Sequence, residues 1–189
     1  MTGVRAARYS TTMWDIRAER KDDEAVIEAL VTLGFGPGRF AKTAYRLREG
    51  VAPVSSLCFV AEGAEDHALL GSVRFWPIVV GGRQALLLGP LAVKPELRGQ
   101  GIGIALMQRG LDAARRGGHD SVILVGDEPY YARVGFTRLK PGQVRFPGPV
   151  DQNRVLGLAL KGGALDSLSG EIARARIDIP VSAPAAPLA

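Results

Sequence analysis

At 189 residues, 47% of them hydrophobic and 23% charged, the chain has room for one domain with a core and too little for two. Its 24 Lys and Arg against 19 Asp and Glu leave a net charge of +5, which favours an anionic partner, yet no basic run marks a nucleic-acid arm. The single cysteine excludes a disulfide framework and a thiolate metal cluster and points to a reducing, cytoplasmic setting, and no apolar stretch reaches the ~20 residues of a membrane-spanning helix.

Residues 1–13 carry arginines and hydroxyls without an apolar core, so they are not a secretory signal. They read as a flexible N-terminus, or as an acid-free transit leader. Alternation over 14–20 predicts a first strand. Asp22-Asp23 then offers an N-cap to a helix with Ala25, Val26, Ala29, Leu30 and Leu33 at helical spacing, stopped by the glycines from Gly34. Residues 40–49 predict a second, polar helix. Its basic face (Arg39, Lys42, Arg46, Arg48) suits solvent, an acidic acceptor or an acyl-carrier protein. Three consecutive strands follow at 57–62, 69–80 and 84–93, with Gly81-Gly82 as a hairpin turn. From Ile102 the period becomes helical: Ile104, Met107, Leu111 and Ala114 share one face up to the stop at Gly117-Gly118. Residues 121–125 form a nearly continuous apolar strand, covered on both faces. Pro129 opens a short helix through Val134, strands follow near 136–139 and 154–160, and 180–189 is a disordered Pro/Ala tail. The fold class is therefore α/β: one domain over 14–179, in the order β-α-α-β-β-β-α-β-α-β-β. The right-handed crossover through the third helix makes its flanking strands parallel.

Three stretches depart from ordinary element chemistry. Arg98-Gly-Gln-Gly-Ile-Gly103 stands where a helix start should be capped, yet it holds no Ser, Thr, Asp or Asn. Glycine keeps side chains away and permits positive φ, so bare N–H groups can converge on an anion, and Arg98 adds a fork-shaped cation. The segment is either a pyrophosphate cradle or a turn that tightens strand–helix packing. It is not a dinucleotide fingerprint, since the next glycine is Gly110, and no G-K-[ST] closes a P-loop. Second, Gly89-Pro90 interrupts a strand. A bulge there would splay it from 121–125 and open a wedge lined by backbone groups of Leu91, Ala92 and Val93, to which an extended thiol arm with amide bonds could pair; a packing bulge without ligand is the alternative. Third, Tyr130-Tyr131-Ala-Arg-Val-Gly-Phe136 follows the carboxyl end of a parallel strand, where ligands bind in such sheets. A phenol there can donate a proton into the wedge, or simply pack.

Taken together, these stretches resemble the GNAT superfamily of N-acetyltransferases. Arg98-Gly-Gln-Gly101-Ile-Gly103 matches the family's [QR]-x-x-G-x-[GA], and Tyr131-Ala-Arg-Val-Gly135-Phe136 matches its Y-x-x-x-G-F. Gly-Pro-Leu-Ala-Val and Gly-Asp-Glu-Pro-Tyr-Tyr are similar to a branch of small bacterial GNAT proteins. The resemblance is densest over 86–137. It implies the GNAT fold, a mixed, mostly antiparallel sheet with a splayed parallel pair formed by the fourth and fifth strands. It also implies acetyl-CoA as acyl donor, an amine as acceptor, no metal, and dimerisation as a common family trait. On that resemblance the backbones of Gly99, Gln100, Gly101, Ile102, Gly103 and Ile104, with Arg98, hold the coenzyme A pyrophosphate. Leu91, Ala92 and Val93 line the pantetheine arm, the Leu91 N–H polarises the thioester carbonyl, and Tyr131 protonates the departing thiolate as general acid.

The family often carries a glutamate base on its fourth strand, whereas 84–93 holds no carboxylate. A water chain, or Asp127 and Glu128, is left for that work, although the two acids also read as an N-cap pair. Cys58 sits in an apolar strand and reads as core, and His67 and His119 read as solvated or structural. The expected activity is acetyl-CoA-dependent N-acetyltransfer to a primary amine by direct attack, on a small molecule or a protein amino group. The alternatives are a longer-chain acyl-CoA or acyl-carrier-protein acyltransferase and a non-catalytic CoA-binding module.

Overall fold

A computed structural model of the chain describes residues 13–36, 38 and 43–175. The described residues form β1 (Trp14–Ala18), α1 (Glu24–Phe35), α2 (Thr43–Arg46), β2 (Phe59–Gly63), β3 (Leu69–Val80), β4 (Arg83–Val93), α3 (Ile102–Arg116), β5 (Ser121–Val125), α4 (Glu128–Tyr131), β6 (Thr137–Arg138), β7 (Val144–Arg145), β8 (Val155–Ala159) and β9 (Gly170–Arg174). The strands join into one sheet in the order β1-β2-β3-β4-β5-β8-β6, antiparallel except for the β4/β5 pair; β9 lies antiparallel against the far end of β3, and β7 pairs with β9 in parallel.

The period of two along each strand divides the core into layers. Phe59, Val73, Phe75, Leu86, Leu88, Val122 and Leu124 face one side, where α3 lays Leu106, Met107, Leu111 and Ala114 over them. Val60 and Ala92 face the other side under Ile27, Leu30 and Val31 of α1. On that same side Leu87 and Ile123 carry the C-terminal segment through Leu139, Val144 and Leu168. The sheet is thus covered on both faces, and β4 and β5 run through its middle. In α3, Gly110 gives the Phe75 ring its space: a methyl placed there would collide with the ring edge.

Asp23 occupies the N-cap position of α1, but its side chain does not cap the helix. Its carboxylate instead accepts two N–H groups of Arg17, at 2.7 and 2.9 Å, and the Arg20 backbone N–H at 2.7 Å. The Arg17 guanidinium holds the Asp23 carboxyl below the usual carboxylate range, although burial pulls the other way. Arg17 also reaches Glu62 at 2.5 Å, so one cation ties the start of α1 to β1 and β2.

Several boundaries differ from the sequence expectation. Of the helix expected over 40–49, the described residues show α2 ending at Arg46, followed by a turn to Gly50; positions 39–42 lie outside the described residues, as do 1–12 and the tail. Ser55–Leu57 is a 3-10 turn, so β2 starts at Phe59. β7 and β9 carry no alternation to betray them, with two residues in one and a single buried apolar side chain, Ile172, in the other. Among the described residues no helix is long and apolar enough to cross a membrane.

Candidate active site

β4 leaves the sheet pattern at Gly89-Pro90. Val73 pairs with Leu91 and Phe75 with Leu88, so two residues of β4 stand against the single Arg74 of β3. This is a bulge, with Gly89 at φ 123° and a cis Gly89–Pro90 bond. Beyond it β4 and β5 separate: their parallel pairing is confined to Leu86 with Val122 and Leu87 with Ile123. The free edge has a defined polarity. Lys94 donates to the Leu70 carbonyl at 2.9 Å, and hydrogen-bonded pairs alternate along an antiparallel ladder. Ala92 therefore spends its backbone groups on Ser72 of β3, while those of Leu91 and Val93 point into the wedge. Ala92, expected to offer its backbone to a ligand, contributes wall instead.

Directly after β4 the chain makes a 3-10 turn at Pro95–Leu97 and reaches the glycine segment. Gly99 and Gly101 sit at φ 83° and 86°, in the left-handed region that costs side-chain-bearing residues about 1 kcal/mol or more. Gly101 is the N-cap of α3, and no side chain caps it. The first intrahelical bond runs from the Ala105 N–H to the Gly101 carbonyl at 3.0 Å, which leaves the N–H groups of Ile102, Gly103 and Ile104 bare at the positive end of a four-turn helix. Gln100 differs: its N–H turns back to the Leu97 carbonyl at 3.4 Å, outside the converging set. Arg98 lines the same cleft and pairs with no carboxylate among the described residues.

Tyr131 closes the wedge. α4 starts where β5 ends, and the ring lies across Gly126, where any side chain would collide with it. Tyr130 and Phe136 meet the Tyr131 ring edge-on at 5.1 and 6.1 Å between centroids. Burial pushes the Tyr131 phenol up to about 12, helped by Tyr130 and Asp127, so it is fully protonated at neutral pH. Among the described residues nothing accepts its proton. The Tyr130 hydroxyl, by contrast, lies against Gly103 in the first turn of α3, and burial raises its pKa too.

Two clefts of about 400 Å³ each open on either side of this point. The first runs from Leu91 and Val93 along the glycine segment to Tyr130 and Arg133. Its one lining carboxylate, Asp127, is exposed and paired with Arg154 at 3.2 Å, and Arg98 and Arg133 leave the lining net cationic. The second lies beyond the bulge, between Val31 and Thr43 on one side and Pro149–Asp151 and Arg154 on the other. Thr43 fixes that wall by donating to the Pro149 carbonyl at 2.7 Å. Phe35, Leu91 and Tyr131 belong to both clefts. An extended, polyanionic ligand in the first cleft and a smaller one in the second would therefore meet at the Leu91 N–H and the Tyr131 hydroxyl.

A model of the family described as Acetyltransferase (GNAT) domain matches residues 55–138. The uncharacterised N-acetyltransferase YhbS of Escherichia coli K12 is 32% identical over 157 residues, 82% of this chain and 92% of that protein. YjhQ of the same organism, also named an uncharacterised N-acetyltransferase, is 30% identical over 133 residues, 68% and 72% of the two chains. The crystal structure of E. coli YhbS in complex with CoA aligns with a TM-score of 0.73 at 30% identity, covering 86% of this chain and 90% of that one. A GNAT acetyltransferase from Brucella melitensis in complex with acetyl-CoA aligns at 0.64 and 28%, covering 86% and 96%.

The chain belongs to the GNAT superfamily of N-acetyltransferases. In this GNAT domain the matched segment contains the cradle, the wedge and Tyr131, whereas α1, α2 and the 149–154 wall of the second cleft lie outside it. Phe35, Arg48, Tyr130 and Arg133 line the clefts without having been assigned from sequence. Tyr130 and Arg133 had a signal there through their places beside and within the Tyr131 motif, and Arg48 through the basic face that suits an acidic acceptor. The remaining reactive side chains are elsewhere. Cys58 is buried, its thiol donates to the Val54 carbonyl at 3.3 Å, and burial raises its pKa to about 11. His67 is exposed and paired with Glu62 at 2.8 Å, and burial lowers the pKa of His119. Asp127 does not cap α4 with its side chain, and Glu128 is held by Arg138 at 2.5 Å. No group of three or more His, Cys, Asp or Glu suited to a metal occurs among the described residues.

Proposed function

We propose that this chain transfers an acetyl group from acetyl-CoA to a primary amine by direct attack in a ternary complex. The observation that carries the reading is the meeting of the two clefts at Leu91 and Tyr131. The CoA and acetyl-CoA bound by the E. coli and Brucella relatives support it. The pyrophosphate would rest on the N–H groups of Gly99, Gly101 and Ile102–Ile104, with Arg98 and Arg133 as counter-charges. The pantetheine amides would pair with the backbones of Leu91 and Val93 as an added strand does. The Leu91 N–H then donates to the thioester carbonyl and stabilises the oxyanion formed when the amine attacks. On collapse the C–S bond breaks, and the Tyr131 hydroxyl gives its proton to the thiolate. Asp127 and Glu128 are engaged by arginines, so we assign the proton lost by the amine to water in the open second cleft. Cys58, a buried free thiol, is in keeping with the reducing cytoplasm we assign as compartment.

Thermal unfolding with ligand tests the donor half of this reading. Acetyl-CoA at 100 times its dissociation constant is expected to add about 2.7 kcal/mol of stability. Arg98→Ala should weaken its binding about tenfold, the loss of one charge-assisted contact. A chain stabilised neither by acetyl-CoA nor by CoA would overturn the reading, and tighter binding of long-chain acyl-CoAs would turn it toward lipid or carrier-protein chemistry.

A further inference from the structure

The second cleft contains a cation that the reaction scheme above does not use. Arg48 follows α2 and is largely buried against the bulge, lining both the second cleft and a smaller pocket of about 210 Å³ that shares Val31, Tyr45 and Pro90 with it as walls. Its neighbours there include two acids, Glu28 and Glu49, yet Arg48 forms an ion pair with neither. Its guanidinium stacks near the rings of Tyr45, at 5.4 Å, and Trp76, at 6.0 Å, contacts that leave the in-plane N–H groups unspent. The Arg48 Nε is buried without a hydrogen-bond partner, and so is the Trp76 Nε1 of the same small pocket. Two orphaned buried donors are costly together, and a guanidinium fork is shaped for a carboxylate. Burial lowers the Arg48 pKa to about 10, so the group still carries its charge at neutral pH.

The position of that charge limits the ligand. A Cβ built on Gly89 would stand 3.0 Å from Arg48 Nη2 and 3.8 Å from the Leu91 nitrogen. The guanidinium and the Leu91 N–H proposed for the thioester carbonyl therefore flank the same residue. A nucleophile at the acetyl carbon has Arg48 within a few bonds' reach. Arg174 of β9 donates to the Glu49 carbonyl at 2.8 Å and fixes the turn that carries Arg48.

We propose that Arg48 receives a carboxylate of the acceptor, so that the amine acetylated by this chain belongs to a small amino acid or a comparably short amino-carboxylate. The inference rests on the reading of the second cleft as the acceptor side. A carboxylate on the guanidinium, which lines the second cleft beside Gly89, would place the amine at the wedge.

The test is a set of matched acceptors assayed by thiol release from acetyl-CoA: α- and ω-amino acids of two to six carbons, their primary amides, the corresponding simple amines and aminoethyl phosphate. The best amino-carboxylate should exceed its amide about 30-fold in kcat/KM, most of it in KM, because a site built around a buried charge discriminates against ligands that leave it unpaired. Arg48→Met should abolish that preference and Arg48→Lys should restore part of it, with stabilisation by acetyl-CoA showing that both variants are folded. Equal turnover of acids and amides by the wild type would overturn the inference while leaving the acetyltransfer reading intact. A preference for simple amines or for aminoethyl phosphate, or turnover of none of these acceptors by a chain that binds acetyl-CoA, would do the same. Absence of acetyl-CoA binding would remove the reading beneath it instead.

Discussion

Tyr131→Phe is expected to slow acetyl transfer by about 100-fold or more while acetyl-CoA affinity stays within about threefold of wild type. The substitution keeps the ring that packs across Gly126 and meets Tyr130 and Phe136 edge-on, and removes only the proton. Thiol-release kinetics and ligand-induced stabilisation, measured on the same preparation, separate the two effects. Tyr130→Phe is the control, since that hydroxyl lies against Gly103 in the cradle and its loss should fall on acetyl-CoA affinity rather than on turnover. The pH profile adds a second handle. Burial raises the Tyr131 phenol to about 12, so the acid form persists well past the ordinary tyrosine range. The rate should show no alkaline fall attributable to Tyr131 between pH 7 and about 10.5. A Phe variant with full activity would remove Tyr131 from the chemistry.

Gly110→Ala should destabilise the fold by about 2 kcal/mol, against the direction of helix propensity, which favours alanine by about 1 kcal/mol. The added methyl has nowhere to go, because Phe75 is 0% exposed and its ring edge already fills the space above Gly110. Relief requires α3 to lift from β3, and that movement carries the cradle with it, since the bare N–H groups at Ile102–Ile104 begin the same helix. The variant should therefore lose acetyl-CoA affinity as well as stability. Equilibrium denaturation with and without acetyl-CoA reads both. An alanine variant more stable than wild type would show that the Phe75–Gly110 contact is looser than the packing implies.

The features proposed to hold the donor were legible in the sequence because they are made of backbone. Gly99 and Gly101 announce positive φ, Pro90 announces a break in a ladder, and the missing cap at Gly101 announces N–H groups aimed outward. Each is a local rule broken within a few residues of chain. Two details needed the ladder itself. The alternation anchored by Lys94 and Leu70 turns Leu91 and Val93 into the wedge and Ala92 away from it, and the turn at Leu97 takes the Gln100 N–H. The residues proposed for the acceptor side left a fainter trace. Arg48 read as one of four basic residues on a helix face suited to solvent, an acidic acceptor or an acyl-carrier protein, and only the docking of its turn against Gly89 and Trp76 sets it apart from the others. β9 was invisible for a related reason: Gly-Glu-Ile-Ala-Arg has too little apolar character to predict a strand, and it forms because Ile78–Val80 offer an edge to pair with.

The most direct test of the account is to mix the protein with excess acetyl-CoA and follow free thiol and the mass of the protein, first without and then with an amine acceptor. Direct attack predicts no thiol and an unmodified chain until the amine is added, then one acetyl amide for each thiol released. A burst of one thiol per protein without amine, with an acetyl group left on the chain, would contradict it, because the acyl group would then pass through a covalent enzyme intermediate.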